Sequence, residues 1–138
     1  MNYLIDTNVL SELRRPQPQH AVLDWFEKHP RRTLYLSVLT LGEIRKGIAS
    51  MPAGARRDAL AHWLERDLPL YFSGRLLALD ATTADTWGRL CAGVQRPLPA
   101  IDGLLAATAL QHRMGLVTRN TRDFEGLGLD VVNPWVSA

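Results

Sequence analysis

Short apolar stretches alternate along this chain with longer segments in which apolar residues recur every three or four positions. The short stretches are the right length for buried strands, and the helical spacing gives the longer segments one apolar face each. We predict strands over residues 3–5, 34–36, 76–79, 116–118 and 131–132. The pattern therefore predicts strands and helices in alternation.

Polar residues, prolines and glycines suggest where the helices begin and end. We predict helices after Asp6, over about 22–29, from Ser37 or Thr40, over about 55–67, after Asp80, and over 100–114. Pro69 is expected to end the helix over 55–67, and Gly115 to cap the last one. The helix over 100–114 is apolar on most sides, which predicts a place in the core.

Alternating strands and helices are typical of the α/β fold class, with a central, mostly parallel β-sheet flanked by α-helices. A length of 138 residues suits one domain with one sizeable core. The chain shows no internal repeat, low-complexity segment or linker. We therefore expect a single domain over residues 1–138.

Composition narrows the possible functions. The hydrophobic fraction of 46% excludes a disordered chain, and the net charge of +2 is too small for a general nucleic-acid binder. The basic residues are nearly all arginine, which binds phosphate groups bidentately. The chain has arginine pairs at 14–15, 31–32 and 56–57, and each pair considered alone is explained as ordinary solvent-exposed surface. Beside an acidic crevice, they would suit a phosphate-rich partner.

The location of the protein is expected to be cytoplasmic, with no role for a membrane. Cys91 is the only cysteine, so no internal disulfide can form, and its place on a helical apolar stripe predicts a packing role. The first residues lack the basic and apolar regions of a signal peptide. The longest apolar stretch without charge, around 34–42, is too short to cross a bilayer.

Four acidic residues lie at or beside the predicted element boundaries. Taken singly, Asp6 fits a helix cap, Asp102 a helix N-terminus, Asp123 a turn, and Glu43 an exposed helix position. In an open parallel sheet, however, ligands bind at the carboxyl ends of the strands. Carboxylates gathered there would suit Mg²⁺ or Mn²⁺, which can activate water against a phosphodiester.

Two polar side chains follow the fourth predicted strand. Thr118 and Asn120 could orient a water or a phosphate oxygen at the same edge, or could simply end a strand. Several other chemistries find no support in the sequence: it has no glycine-rich phosphate loop, no Gly-x-Ser-x-Gly turn and no zinc-ligand spacing among its four histidines. A phosphoaspartate mechanism would want an aspartate at position 8, where the chain has Asn8.

Four blocks of sequence together resemble a PIN domain and, more narrowly, a VapC-type toxin of the FitB branch. The blocks occur in the order and at the spacing of that family and span nearly the whole chain. They lie at residues 6–12 (DTNVLSE), 36–43 (LSVLTLGE), 98–109 (LPAIDGLLAATA) and 117–124 (VTRNTRDF). The chain departs from the usual family pattern at Gly103, where alanine is more common.

The resemblance implies a Mg²⁺-dependent endoribonuclease, with Mn²⁺ as a possible substitute. It also implies a homodimer, an RNA substrate and a cognate antitoxin of the VapB or FitA kind, with DNA contacted only through that antitoxin. Glu12 belongs to the first block and is given no catalytic role.

The site residues implied by the resemblance are those already singled out. Asp6, Glu43 and Asp102 would be the primary metal-binding and catalytic acids, and Asp123 would complete the set. The supporting residues would be Thr118, Asn120 and Asn8, and Arg119 or Arg122 would steer the RNA backbone.

Two other functions remain open at this point. The chain could be mainly a regulatory partner that acts with a DNA-binding antitoxin in promoter repression, with weak or no nuclease activity. A flap-type DNA nuclease is the third possibility, although the chain is short for the clamp elements of such enzymes.

Overall fold

The computed structural model describes residues 1–136, which fold around one five-stranded sheet in the order β3-β2-β1-β4-β5. Every neighbouring pair of strands is parallel. The strands are β1 (Tyr3–Ile5), β2 (Leu34–Ser37), β3 (Leu76–Leu77), β4 (Gly115–Val117) and β5 (Val131–Val132). The predicted α/β class and all five predicted strands are confirmed.

Helices connect the strands and cover both faces of the sheet. They are α1 (Thr7–Leu13), α2 (His20–Lys28), α3 (Val38–Ala49), α4 (Ala55–His62), α5 (Leu68–Tyr71), α6 (Ala81–Gly93) and α7 (Ala100–Gln111). A π-helical segment, Trp63–Asp67, joins α4 to α5, and short 3-10 turns occur at Arg31–Thr33 and Thr121–Phe124. Within residues 1–136, no helix combines the length and apolar composition that crossing a membrane requires.

The alternation of side chains along the central strands builds two cores. Leu4 of β1 and Leu116 of β4 point to one face of the sheet, where α7 and the segment around Phe124 supply the other apolar residues. Ile5 and Val117, one position further along each strand, point to the opposite face and to the helices from α1 to α5. Because successive side chains of a strand face opposite sides and both faces are covered, both strands are apolar, and all their residues are buried except the half-buried Tyr3.

Pro69 does not end its helix, contrary to the prediction. The chain stays helical through the π-helical segment and α5 as far as Tyr71. Proline lacks the N–H group that an α-helix needs at interior positions, but Pro69 directly follows a π-helical turn in which the N–H of Leu68 bonds to the carbonyl of Trp63. The change of hydrogen-bond register in the preceding segment makes this position available.

Gly115 does not cap α7, which ends at Gln111 and not at residue 114. The left-handed backbone conformation after the helix is taken by Arg113, with a φ of 56°, and the N–H of Met114 bonds back to the carbonyl of Ala109 at 2.8 Å. Gly115 instead begins β4, where a Cβ atom would lie 3.1 Å from Cδ1 of Tyr3. A side chain at position 115 would therefore require the Tyr3 ring to shift by a few tenths of an ångström.

The packing of α6 against α7 accounts for the unusual residue at position 103. Gly103 is buried under the indole of Trp87, and a Cβ atom there would lie 2.9 Å from Trp87 Nε1 and 3.2 Å from Leu98 Cδ2. The glycine thus makes room for the tryptophan. On the same helix as Trp87, Cys91 is only half-buried, so its predicted packing role holds in part.

Alanine at position 103 is expected to destabilise the protein, because its methyl group would push the Trp87 ring away from α7. Overpacking of this kind typically costs about 1–3 kcal/mol, more than the helix propensity that alanine gains. Urea unfolding of Gly103→Ala against the parent chain measures the difference.

Gly88→Ala is the matched control, since Gly88 lies in α6 and a Cβ atom there would meet nothing within 4 Å. This variant is expected to be stabilised by about 0.5–1 kcal/mol. Equal behaviour of the two variants would show that Trp87 does not constrain position 103.

Candidate active site

The strand order creates a crevice between the carboxyl ends of β1 and β4. From β1 the chain builds β2 and β3 on one side, then returns to add β4 and β5 on the other. At such a reversal the connections leave β1 and β4 in opposite directions, and ligands bind in the gap. Asp6 directly follows β1 and Thr118 directly follows β4, so both line this crevice.

Asp6 is held rigidly at the centre of the crevice. It is 7% exposed and is the N-cap residue of α1. Its Oδ1 accepts a hydrogen bond from the N–H of Thr7 at 2.7 Å, and its Oδ2 accepts one from the hydroxyl of Thr118 at 2.8 Å. A carboxylate oxygen has two lone pairs, so each oxygen can also bind a ligand. The cap and the candidate site use the same residue.

Asn8 ties the two strand ends together. Its Nδ2 donates to Thr118 Oγ1 at 3.3 Å and approaches Asp6 Oδ2 at 3.4 Å, and its Oδ1 accepts from the N–H of Arg119 at 3.2 Å. Asn120 contributes through its backbone, whose N–H donates to Thr118 Oγ1 at 3.1 Å. The three predicted supporting residues therefore lie around Asp6. Asn120 contributes through its backbone N–H and not through its side-chain carboxamide.

Glu43 reaches the same crevice from α3. Its Oε1 accepts a hydrogen bond from the hydroxyl of Thr7 at 2.7 Å. Thr7 thus connects Asp6 to Glu43, since its N–H binds the first carboxylate and its hydroxyl the second. We did not single out Thr7 from the sequence, where it looks like part of a helix cap, and no local signal connects it to a residue on a distant helix.

Asp102 and Asp123 complete the acidic group on the β4 side. Asp102 is half-buried in the first turn of α7, and Asp123 is exposed in the 3-10 turn Thr121–Phe124. The neighbouring Phe124 is 2% exposed and anchors that turn in the core. The structure therefore brings all four predicted acids to one crevice, close enough to act on one another electrostatically.

Burial and neighbouring charges make Asp6 and Asp102 harder to ionise. Burial raises the pKa of Asp6 above its usual value of 3.8, and the charges of Glu43 and Asp123 raise it further, against the hydrogen bonds from Thr118 and the Thr7 N–H. Burial also raises the pKa of Asp102, as do the charges of the other three acids, while Arg96 lowers it. Raised pKa values from burial and like charges mark a site that would gain from a bound cation.

The donor atoms fit a hard divalent cation, although they do not form a complete ligand cage. Within residues 1–136, no three His, Cys, Asp or Glu side chains form a group that could hold a metal ion. Mg²⁺, however, usually keeps several waters and is bound through only one or two carboxylates together with substrate phosphates. The buried carboxylate of Asp6, with like charges nearby, suits that kind of binding.

The two arginines expected to steer RNA differ in their surroundings. The guanidinium of Arg119 lies over the ring of Trp135, 5.0 Å from its centroid, beside the strand end that carries Thr118. Arg122 is exposed on the same 3-10 turn as Asp123. Both therefore lie at the rim of the crevice, and their role in binding stays a prediction.

Comparison with known proteins identifies the family. The model of the PIN domain matches residues 3–128. The chain is 40% identical over 138 residues to "VapC ribonuclease Y4jK" of Sinorhizobium fredii, with 98% of this chain and 99% of the relative covered. It is 36% identical over 135 residues to "Toxin FitB" of Neisseria gonorrhoeae, with 96% and 97% covered.

The chain belongs to the PIN-domain family. A solved structure of FitAB bound to an IR36 DNA fragment contains a chain that matches with a TM-score of 0.91 and 34% identity, covering 99% of this chain and 97% of that one. The resemblance to VapC-type toxins of the FitB branch is thereby confirmed. The prediction of a single domain over 1–138 is not tested by these matches, and its last two residues lie outside the described ones.

One acid of the PIN-domain motif has a structural role. Glu12 is 4% exposed, and its Oε2 accepts a hydrogen bond from the N–H of Gln19 at 2.9 Å, while Arg15 donates to its Oε1 at 3.3 Å. Glu12 therefore fixes the connection between α1 and α2 and takes no part in the crevice.

Asp102→Asn is expected to stabilise the protein at neutral pH in the presence of chelator. Because the folded-state pKa of Asp102 is raised, its ionisation disfavours the folded state, and stability is lost as the pH rises through that pKa. The variant removes this cost, so its advantage in urea unfolding should be largest near pH 7. The advantage should vanish below the usual aspartate pKa of 3.8, where the carboxyl is protonated in both states.

Asp67→Asn, the same change at an exposed carboxylate of the π-helical segment, controls for the loss of one charge. A stability difference at Asp102 that did not change with pH would contradict the electrostatic explanation.

Proposed function

We propose that this protein is a metal-dependent endoribonuclease, the toxin of a toxin–antitoxin pair. The observation that carries the proposal is the meeting of Asp6, Glu43, Asp102 and Asp123 at one crevice of a PIN domain. The name of the VapC ribonuclease relative, which matches over the length of both chains, supports RNA as the substrate.

The charge of the crevice explains why a divalent cation would be needed. Four carboxylates repel the phosphate groups of RNA, so the substrate could not approach them without a compensating positive charge. We infer that Asp6, Asp102, Glu43 and Asp123 hold Mg²⁺, with Mn²⁺ as a substitute. The ion would supply Lewis-acid chemistry, making water more acidic and neutralising charge on the phosphate oxygens.

The side chains around the acids have separate tasks in this proposal. The hydroxyl of Thr118 and the N–H of Thr7 each hold one oxygen of Asp6, which fixes the carboxylate and favours its ionised form. The Thr7 hydroxyl orients Glu43 in the same way. Because these groups are already in place, no reorganisation is required when the scissile phosphate is positioned for in-line attack by water.

RNA enters from the rim in this proposal. Arg119 and Arg122 attract the phosphate backbone, and the unpaired bases of a single-stranded loop can reach the crevice more easily than those of a duplex. The products expected from attack by water are a 5′-phosphate and a 3′-hydroxyl.

RNA cleavage that depends on the cation and on the acids is the principal expectation. A pool of RNA hairpins with randomised loops is incubated with the protein and Mg²⁺ or Mn²⁺, and the new 5′-phosphate ends are captured by ligation and sequenced. Asp6→Asn and Asp102→Asn should each lower the rate at least about a hundredfold. Each variant removes a negative charge that would hold the cation, and the cation is what would stabilise the charge on the phosphate.

Glu12→Gln is the matched control for this assay. Glu12 is a buried acid of the same sequence block as Asp6, residues 6–12, but its side chain lies outside the crevice. It should keep its activity. Cleavage that persists in chelator or in Asp102→Asn would overturn the proposal.

A cleft next to the crevice suggests how the toxin would be restrained. It lies between α1, α3 and α4, has a volume of about 390 Å³, and includes Thr7 and Glu43 at the active-site end. Apolar side chains line it together with three arginines: Ile44, Ile48, Met51, Leu60 and Trp63, with Arg14, Arg15 and Arg56. We infer that an amphipathic helix of the antitoxin lies here, with a basic side chain reaching the acids.

Leu60→Asp is expected to free the toxin from its antitoxin. The buried charge would weaken the apolar contact without touching the four acids, so cells that express the variant together with the antitoxin should stop growing, while cells with the parent pair grow. Leu60→Met, which keeps the apolar surface, is the control. If Leu60→Asp remained restrained, the antitoxin would have to bind elsewhere.

One observation favours the second candidate function, a regulatory partner in promoter repression with little or no nuclease activity. The similar FitAB complex was solved bound to a DNA fragment. In this case DNA would be contacted through the antitoxin. The hairpin assay separates the two functions, because a purely regulatory partner would leave the RNA intact. Dimerisation, which the resemblance to the family implies, and a cytoplasmic location remain predictions.

A further inference from the structure

Arg96 connects the two segments that carry Asp102 and Asp123. It lies between α6 and α7, shortly before Asp102. Its Nη2 donates hydrogen bonds to the backbone carbonyls of Asp123 and Glu125, each at 3.0 Å. One nitrogen of a single side chain thus holds one carbonyl of the 3-10 turn that carries Asp123 and one carbonyl directly after that turn.

Other contacts fix the inner side of the turn. Phe124 anchors it from the core, and the N–H of Asp123 bonds to the carbonyl of Asn120 at 3.1 Å. Leu127, which is 5% exposed, anchors the chain beyond the turn. Arg96 adds the side-chain hydrogen bonds to the carbonyls of Asp123 and Glu125.

Arg96 belongs to the segment that leads into α7, and Asp102 stands in the first turn of that helix. The hydrogen bonds from Arg96 to the carbonyls of Asp123 and Glu125 therefore tie the chain around Asp123 to the segment that precedes Asp102.

We propose that Arg96 is a positioning residue that sets Asp123 against Asp102 across the crevice. This inference rests on the proposed function, in which both acids bind the cation. In this inference Arg96 strengthens cation binding through its two hydrogen bonds to the carbonyls of Asp123 and Glu125, and not through its charge.

The sign of the change in cation affinity tests this assignment. If Arg96 acted only by its positive charge, Arg96→Ala would tighten Mn²⁺ binding, because like charges repel. If it positions Asp123, Arg96→Ala should weaken Mn²⁺ binding, by about tenfold or more, as is usual for groups that orient metal ligands. Isothermal titration calorimetry of the full-length protein measures the affinity without requiring turnover.

Further variants locate the effect. Arg96→Lys keeps the charge and one donor group, so it should recover part of the lost affinity. In an Asp123→Asn background, Arg96→Ala should cause no further loss, because the residue through which it acts is already changed. Arg66→Ala, which removes an exposed arginine of the π-helical segment, is the control and should leave the affinity unchanged.

Hydrogen exchange of the turn provides a readout that does not involve metal. Arg96→Ala should speed the exchange of the amides of Asp123 and Glu125 and leave those of β4 unchanged. Affinity that is unchanged or tightened in Arg96→Ala, or losses that add to those of Asp123→Asn, would overturn the proposal, and so would unchanged exchange at the turn. If the parent protein bound no Mn²⁺, the proposed metal dependence would fail, and the exchange experiment alone would decide the role of Arg96.

Discussion

Mutual repulsion among four carboxylates is the constraint on which the rest of this structure depends. The acids come from four separate parts of the chain, and burial with like charges nearby makes Asp6 and Asp102 harder to ionise than they would be in water. They are held together because the elements that carry them are fixed by other contacts. The apolar strands β1 and β4 pack into cores on both faces of the sheet, and their ends meet where Asp6 and Thr118 lie.

Stability and chemistry oppose each other at this crevice. Burial that raises the pKa of Asp6 and Asp102 works against folding at neutral pH, and the hydrogen bonds from Thr118 and Thr7 only partly offset it. A cation bound there would stabilise the protein, since a ligand that binds only the folded state shifts the folding equilibrium towards it. The apolar cores must supply the stability that the acids remove.

The sequence predicted those features that depend on local pattern. The strands followed from short apolar stretches, and the place of Asp6 at a strand end followed from its neighbours. What it could not predict depends on distant partners. The bond from Thr7 to Glu43 joins residues on different helices, and Gly103 is explained only by the ring of Trp87. The prediction that Gly115 caps α7 is wrong because Arg113 adopts the left-handed conformation that glycine usually takes.

The two outermost strands also affect how copies of this protein behave towards one another. β3 and β5 each contain only two residues, Leu76–Leu77 and Val131–Val132. A long outer strand exposes a row of unpaired N–H and carbonyl groups that can capture the strand of another molecule and begin aggregation. Strands this short present hardly any such groups, so the sheet offers little template for growth even when the chain accumulates at high concentration.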